Sequence, residues 1–337
     1  MTVVVTGASG HIGANLVRAL VDSGRATRSL VHVNCRAVEG LDTELVRGDT
    51  GDIESLCRAF NGADTVYHLA AVISLSMGDW PRLEAVNVTG TRNVVEACLR
   101  TGVRRLVHFS SIHALVQEPF SIPVDESRPL ATSMKYPPYD RSKAASEMEV
   151  RRGMERGLDA VILNPTAVVG PNDFQPSYFG EALLSMAQRK LPALVTGGFD
   201  WVDVRDVVEG AMRAGERAPA GSKYLLSGHW LSMCDVAAMV AELTGAAASG
   251  IVCPLWLAHI GAPFIRAISA VNGKRPLYTS VSLRALKSNR CISHDNAARD
   301  LGYSPRPFRE TLADTLQWFI DDGRLACTEK MEAEEFL

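Results

Sequence analysis

The chain lacks the features that would place it among membrane or nucleic-acid-binding proteins. Its 337 residues carry a formal net charge of −3, so no excess of either sign favours nucleic acid or an anionic membrane. No apolar run reaches the roughly 18 residues that suggest a membrane span, and no early basic-then-apolar segment indicates a signal peptide. We therefore expect no nucleic-acid partner and no membrane insertion.

Cysteine pairs and metal-ligand patterns are equally sparse. The seven cysteines are scattered, and no Cys-x-x-Cys pair occurs, which fits a protein kept in a reducing cytosol. The histidines, cysteines and acids lack the spacing of a metal site, so we expect no metal. Hydrophobic residues at 47% and charged residues at 22% are instead typical of a soluble globular protein with a large core. A cytoplasmic location follows as an expectation.

The first 165 residues alternate between strand-like and helix-like segments. Short β-branched or apolar runs predict strands at 2–6, 28–33, 43–49, 64–72, 104–111 and 159–165. Apolar residues at helical spacing predict helices at 11–24, 53–62, 87–100 and 139–156. Strands separated by helices of about 10 to 15 residues indicate parallel β-α-β units with right-handed crossovers. The predicted fold is α/β, a Rossmann-type doubly wound parallel sheet.

The alternation weakens after Pro165, and we interpret the rest of the chain as a smaller, mostly helical substrate region. The segments at 202–216 and 223–227 indicate a return to the main sheet. The acidic end of the chain is expected to fray. The predicted division is a dinucleotide-binding domain at 1–165 to which the chain returns around 200–230, a substrate-binding region within 166–330, mostly 166–200 and 231–330, and a frayed tail at 324–337.

A glycine-rich loop joins the first predicted strand to the first predicted helix. It reads Thr6-Gly7-Ala8-Ser9-Gly10-His11-Ile12-Gly13, or T-G-x-x-G-x-x-G. Glycines allow a tight turn and a close approach of the backbone to a pyrophosphate, and the helix N-terminus supplies free N–H groups. A glycine triplet alone is weak evidence, but its place between a strand and a helix predicts a dinucleotide site.

A tyrosine and a lysine stand four residues apart in PPYDRSK, at Tyr139 and Lys143. If a helix begins near Tyr139, the two side chains share one face and can point at one spot. A cation close to a phenol lowers the pKa of that phenol, which would suit proton transfer. The alternative is an ordinary amphipathic helix with a packed tyrosine and a solvated lysine.

Further motifs follow in an order that resembles the extended short-chain dehydrogenase/reductases, also called the NAD-dependent epimerase/dehydratase family. The resemblance covers nearly the whole chain. It rests on the T-G-x-x-G-x-x-G loop, on the Tyr-x-x-x-Lys pair and on the following matches: Asp49 after the third strand, Leu69-Ala70-Ala71 after the fourth, Asn87 in VNVTGT, Ser111 in HFSSI, and WVDVRDV at 201–207.

The resemblance implies roles for these residues. Tyr139 would act as general acid/base, Ser111 would bind the substrate oxygen, and Lys143 would hold the nicotinamide ribose and tune the tyrosine. Asn87 completes the implied catalytic set. The implied contacts of the dinucleotide are Thr6, Gly7, Ser9, Gly10, His11, Ile12, Gly13, His32, Arg36, Asp49, Thr50, Leu69, Ala70, Ala71, Tyr139, Lys143, Asn164, Pro165 and Thr166. A homodimer through the helices at 87–100 and 139–156 is implied as well.

The end of the second strand bears on which dinucleotide binds. A preference for NAD would place an acid there for the ribose hydroxyls, whereas the chain has Leu30-Val31-His32-Val33-Asn34, with Arg28 and Arg36 nearby. These cations favour NADP slightly, because they are candidates for binding its 2′-phosphate. Asn34 remains able to hold an NAD ribose, so NAD stays open.

The reaction class is indicated by ILNPTAVVGP at 162–171. This stretch resembles the reductase branch of the family, which includes dihydroflavonol reductases and 3β-hydroxysteroid dehydrogenases. We therefore expect an NAD(P)-dependent enzyme that interconverts a carbonyl and a secondary alcohol on a moderately apolar small molecule. The alternatives are a nucleotide-sugar epimerase or dehydratase with tightly held NAD and a non-catalytic cofactor-sensing protein.

Several residues are candidates for contact with that substrate. They are Ile73, His113, Val168, Phe174 and Tyr178, each of which is equally open to a purely structural role. The apolar stretch at 254–271 and the PLYT segment at 276–279 are predicted to cover an apolar ligand.

Overall fold

The computed structural model describes residues 1–191, 193–246, 251–261 and 279–327. Its centre is a parallel sheet of seven strands in the order β10-β6-β5-β4-β1-β2-β3. The chain therefore winds outward twice from β1, once in each direction. The strands are β1 (Thr2–Thr6), β2 (Thr27–Val31), β3 (Glu44–Arg47), β4 (Ala63–His68), β5 (Arg105–Phe109), β6 (Ala160–Pro165) and β10 (Lys223–Leu226).

Helices connect these strands and cover both faces of the sheet. A π-helical segment, Glu84–Thr89, joins two of them, and short 3₁₀ segments lie at Arg36–Val38 and Ile112–Ala114. The α-helices are α1 (His11–Asp22), α2 (Ile53–Phe60), α3 (Trp80–Leu83), α4 (Gly90–Thr101), α5 (Pro138–Glu155), α6 (Tyr178–Ala187), α7 (Val204–Arg217), α8 (Met233–Thr244), α9 (Ser280–Ala285), α10 (Asp295–Leu301) and α11 (Phe308–Asp321).

Alternation along the strands explains why both faces are covered. In β1, Val3 and Val5 pack with α1, α7 and α10, whereas Val4 packs with α2, α4 and α5 on the opposite face. Successive side chains of a strand point to opposite sides, so a strand that is apolar at every position needs a helix layer on each side. The predicted α/β fold with a Rossmann-type doubly wound sheet is confirmed.

Most predicted element bounds lie within three residues of the structure, and two differ by more. The fourth strand ends at His68 rather than at residue 72, because the Leu69 and Ala70 amides turn to donate to the Thr6 hydroxyl. The helix expected at 87–100 begins earlier, with α3 and the π-helical segment before α4.

Much of the second half of the chain forms a smaller region beside the carboxyl ends of the main strands, whereas β10, α7 and α10 belong to the main sheet and its cover. Helices α6, α8 and α11 pack around Trp201 and Phe319, which are almost completely buried. The pattern did not predict the small sheet in this region. Residues 202–203, expected at the main sheet, end a strand of the small sheet instead, and α7 then packs on the main sheet. The small sheet has the order β11-β9-β7, from β7 (Ala167–Val169), β9 (Gly198–Asp203) and β11 (His229–Ser232), and a further pair is β8 (Leu194–Val195) with β12 (Val252–Cys253).

Parts of the segments predicted to cover an apolar ligand, and most of the tail predicted to fray, fall outside the described residues. Residues 255–261 are helical, but the rest of the apolar stretch, 262–271, lies outside, as do 276–278 of the PLYT segment and 328–337 of the tail. In the described part of the chain, no helix combines the length and the apolar character that crossing a membrane requires.

Candidate active site

The glycine loop is held in a shape that larger residues would not allow. Gly7 has a φ of +69°, and its carbonyl accepts from the Gly10 amide at 3.0 Å. A Cβ at Gly7 would lie 2.6 Å from the Ala70 nitrogen, and one at Gly13 would lie 2.2 Å from the Gly7 oxygen. These two glycines therefore permit close backbone contacts that any side chain would break.

The start of α1 offers unpaired backbone donors. Gly10 is its N-cap and provides no side chain to accept from the first turn, whereas Asp52 caps α2 and Asp203 caps α7. The amides of the first helical residues, at 11–13, therefore remain available to an anion, and the helix dipole favours negative charge there. With the close-packed glycines, this is a cradle of the kind that holds a pyrophosphate.

Thr6 and His68 lock the loop to the end of β4. The Thr6 hydroxyl accepts from the Leu69 and Ala70 amides, so its proton goes to Nδ1 of His68 at 2.8 Å. Nε2 of His68 then donates to the Thr91 hydroxyl at 3.0 Å. Burial and the Lys143 charge lower the pKa of His68 to about 3, so its ring is neutral. Both residues are structural supports of the loop.

Tyr139 stands at the first turn of α5, with Ser111 opposite it at the end of β5. The phenol lines the cavity, and burial raises its pKa above the ordinary value. A hydrogen bond with Ser111 offsets this in part, and the nearby Asp140 carboxylate adds to the rise. The phenol is therefore protonated at neutral pH and able to give a proton to a ligand oxygen.

Lys143 lies one helical turn beyond Tyr139 and faces the same cavity. Its ammonium donates to the Phe109 carbonyl at 2.8 Å. Burial lowers the lysine's pKa to about 8, while the Glu147 carboxylate opposes that fall. Burial is the largest influence on the pKa of Tyr139, and the expected lowering of that pKa by Lys143 stays a prediction.

Glu147, one further turn along α5, is a functional-site residue that the sequence did not reveal. Its side chain is completely buried, and Lys223 of β10 lies 2.8 Å from Oε2. Oε1 accepts from the Ser110 hydroxyl at 2.7 Å and from the Asn164 amide at 2.6 Å. A buried carboxylate with three donors fixes the position of α5 against β5, β6 and β10.

A sequence comparison decides the family. The model of the NAD dependent epimerase/dehydratase family matches residues 3–226, which include the glycine loop, Ser111, Tyr139, Lys143 and β10. The chain belongs to this family. The predicted resemblance is thereby confirmed, and the cradle at α1 agrees with the dinucleotide that the family name implies.

Relatives of the chain extend over its full length. Sterol demethylase protein B of Methylococcus capsulatus is 36% identical over 334 residues, which are 96% of this chain and 100% of that protein. A 3-beta-hydroxysteroid dehydrogenase of Mycolicibacterium neoaurum is 27% identical over 336 residues, 95% and 91% of the two chains. The crystal structure of gox2253 superposes with a TM-score of 0.84 at 34% identity, covering 96% of this chain and 99% of that one.

The side chain of Asn87, the helix asparagine of the family, forms hydrogen bonds with other parts of the protein. Its amide oxygen accepts from the Val72 amide at 2.8 Å, and its nitrogen donates to the Val72 carbonyl and to the Ser142 hydroxyl. It does not belong to the cavity wall in the described part of the chain. Its side chain joins the loop after β4 to α5, and a catalytic role for Asn87 stays a prediction.

A cavity of about 850 Å³ lies between the ends of the main strands and the second region. Most of the predicted cofactor and substrate residues meet there, and they are joined by apolar side chains such as Leu115, Phe179 and Met233. The predicted residues that line it are Gly7, Gly10, His11, Ile12, Gly13, Leu69, Ala71, Ile73, Ser111, His113, Tyr139, Lys143, Pro165, Thr166, Val168 and Tyr178.

Several predicted residues lie beside or behind this cavity rather than on its wall, and Thr6, Ala70 and Asn87 are among them. Ser9 is half-buried in the turn of the glycine loop, and Asn164 donates behind the wall to the Ser111 carbonyl and to Glu147. Phe174 packs edge-to-face on Trp318 at 5.2 Å, and its contact with substrate stays a prediction.

His113 faces the cavity next to Tyr139. Its ring meets the tyrosine ring at 5.9 Å in a T-shaped contact, and its Nδ1 lies 3.4 Å from the Asp140 carboxylate. Burial alone would lower the pKa of His113, but the carboxylate raises it above the ordinary value. His113 is one of several polar groups on the cavity wall, together with Ser111, Tyr139 and Lys143.

The residues expected to contact the adenosine half of the dinucleotide lie at the ends of β2 and β3. The His32 ring pairs with Asp49 at 3.2 Å, and both side chains are exposed. Thr50 is buried next to Gly90, with its carbonyl accepting from Asn93 at 2.8 Å. In the described residues, no group of three or more histidines, cysteines and acids is placed to hold a metal.

Arg36, the main candidate for binding a 2′-phosphate, forms an ion pair with a carboxylate of the protein. Its guanidinium lies 2.7 Å from Asp322, just beyond the end of α11. Arg28 pairs with Glu44 at 2.8 Å, so it also has a carboxylate partner. In this arrangement the cations that favoured NADP are already paired.

Proposed function

We propose that the protein is an NAD(P)-dependent oxidoreductase that interconverts a carbonyl and a secondary alcohol on a moderately apolar small molecule. The observation that carries the proposal is the meeting of Ser111, Tyr139 and Lys143 on one wall of a cavity that also reaches the α1 cradle. These three groups supply the proton chemistry that carbonyl reduction needs.

When bound, a reduced dinucleotide would supply hydride to the carbonyl carbon, and its oxidised form would accept hydride from the alcohol carbon in the reverse direction. Tyr139 gives its proton to the carbonyl oxygen as the charge develops there, and it accepts the proton back in oxidation. Ser111 donates a hydrogen bond to the same oxygen and so orients it toward the phenol. The raised pKa of Tyr139 keeps the phenol in the form that reduction requires.

Lys143 has two tasks in this proposal. Its ammonium carries three hydrogens, of which one goes to the Phe109 carbonyl, so two remain for the ribose hydroxyls of the dinucleotide. Its positive charge also stabilises the phenolate that forms when Tyr139 has given up its proton. Glu147 supports both tasks, because it favours the charged lysine.

The substrate class follows from the cavity wall. Ile73, Val168 and Tyr178 line it together with Leu115 and Phe179, so an apolar body fits, while His113 and Ser111 are the polar groups that would orient it. One relative is named 3-beta-hydroxysteroid dehydrogenase. The substrate in that name is an apolar secondary alcohol, which agrees with this substrate class.

The second candidate is a nucleotide-sugar epimerase or dehydratase, which the family name supports. Such an enzyme keeps its dinucleotide and shows no net redox. The deciding experiment incubates the protein with NADH or NADPH and a panel of ketones, aldehydes and UDP-sugars. A steady fall in reduced-nicotinamide absorbance with a ketone supports the reductase. Interconversion of a UDP-sugar without net oxidation would overturn it.

A non-catalytic cofactor-sensing protein is the least favoured alternative, because such a protein has no need of the Tyr139 and Lys143 pair. It would bind the dinucleotide and turn over none of the panel.

We further propose a homodimer through the surface of α4 and α5, which lie side by side and share ion pairs such as Arg92–Glu149. Sedimentation analysis of the purified protein tests this, and a monomer at all concentrations would refute it. A cytoplasmic location and the domain division at residue 165 remain proposals, the former supported by seven free cysteines.

A further inference from the structure

The turn after β2 carries the residue that would distinguish NADP from NAD. Dinucleotide folds place the adenosine ribose at the end of this strand, where an arginine can receive a 2′-phosphate. Arg36 stands here, in a 3₁₀ turn held by the bond from its amide to the Asn34 side chain at 2.9 Å. Its side chain is 56% exposed, so it is accessible to a ligand.

A carboxylate from the far end of the described chain holds this guanidinium. Asp322 accepts from Arg36 at 2.7 Å through one oxygen and from Arg324 at 2.5 Å through the other. The Asp322 side chain is only 10% exposed, so its charge is poorly screened by water and depends on these partners.

The ring of Phe174 completes the arrangement. Arg36 lies over it at 5.8 Å and Arg18 at 5.0 Å, while Arg324 donates to the Phe174 carbonyl at 2.6 Å. Arg18 donates to the Ala14 and Ala37 carbonyls through one of its guanidinium nitrogens.

We propose that Asp322 determines the choice of dinucleotide by competing with the 2′-phosphate of NADP(H) for Arg36. To bind that phosphate, Arg36 must leave Asp322, and the carboxylate then remains close to a second anion. Both effects weaken the binding of NADP(H) and leave the binding of NAD(H) unchanged. The inference rests on the proposed dinucleotide site but not on the identity of the substrate.

The test is a set of binding titrations with NADPH and NADH, read by fluorescence or calorimetry without any substrate. Asp322→Asn should tighten NADPH about two- to tenfold, the range expected for loss of an ion pair of this exposure, and leave NADH unchanged. Asp321→Asn is the matched control, because this exposed neighbour has the same charge and bonds to Gln317 rather than to Arg36.

The double variant Arg36→Ala with Asp322→Asn tests the route of the effect. The gain in NADPH affinity should vanish when Arg36 is absent. An unchanged NADPH affinity in Asp322→Asn, an equal change for both dinucleotides, or a gain that persists without Arg36 would overturn the proposal. Failure of every variant and of the parent protein to bind either dinucleotide would instead refute the dinucleotide site itself.

Discussion

The ammonium of Lys223 lies 2.8 Å from the carboxylate of Glu147, and both side chains are almost fully buried. Strand β10 therefore supplies the counter-charge for an acid on the helix that also bears Tyr139 and Lys143. Because a buried charge without a partner is costly, this pair ties the edge of the sheet to the geometry of the site.

Lys223→Met should lower the free energy of unfolding by about 3 to 5 kcal/mol, since it leaves Glu147 charged and unpaired. Adding Glu147→Gln should restore most of this loss, because the remaining amide carries no charge. Arg100→Met, which breaks a half-exposed pair with Glu96, is the control and should cost less than about 1 kcal/mol. Denaturant unfolding measures all three, and equal losses at the two sites would contradict the argument.

Gly10→Val should leave the fold intact and weaken dinucleotide binding by at least about tenfold. Gly10 is exposed, and its nearest neighbour to a new Cβ is the Gly7 oxygen at 3.3 Å, so the protein has room while the ligand cradle does not. Gly13→Val, whose Cβ would meet the Gly7 backbone, should destabilise the protein itself. Melting curves with and without NADH separate the two outcomes. Unchanged affinity in a folded Gly10→Val protein would contradict the loop assignment.

Tyr139→Phe should lower turnover by about 10² to 10⁴-fold and leave dinucleotide affinity nearly unchanged, because only the proton donor is lost. Ser111→Ala should behave in the same way with a smaller loss, whereas Lys143→Met should weaken affinity and turnover together. Tyr136→Phe is the control, because Tyr136 contacts Lys135 and Arg284 through its ring, which this substitution keeps. Near-normal turnover of Tyr139→Phe would refute the mechanism.

Dinucleotide affinity of the free protein should fall as the pH rises through about 8, where Lys143 loses its proton. Glu147 raises the pKa of this lysine, so Glu147→Gln should move the fall to lower pH. Glu149→Gln, on the same helix but paired with Arg92 and Arg152, should not move it. Titrations of NADH affinity across pH measure the midpoints, and identical midpoints in all three proteins would show that Lys143 does not control binding.

The sheet and the shared helical face of Tyr139 and Lys143 could be predicted because their signals are local. Strand β1 is β-branched along its length, and Tyr139 and Lys143 stand four positions apart. Each feature can therefore be recognised from a short stretch of sequence. Family resemblance added Ser111, whose neighbours in the chain alone do not identify it.

Other parts of the site depend on contacts between distant residues, which no local pattern contains. Glu147 meets Lys223 and Arg36 meets Asp322 only once the chain is folded. For the same reason Phe174, an aromatic in a loop near the cavity, could not be assigned to Trp318 from sequence. Binding of a 2′-phosphate by Arg36 stays a prediction, and the ion pair between Arg36 and Asp322 is a contact that the sequence did not reveal.

The late arrival of β10 has a consequence for the synthesis of the protein on the ribosome. All other strands of the central sheet emerge by residue 165, but the strand that covers β6 is translated only at 223–226. Until then the nascent chain exposes the unpaired edge of β6 and carries Glu147 without its lysine. Exposed edges invite pairing with other chains, so this interval is when the protein most needs chaperones.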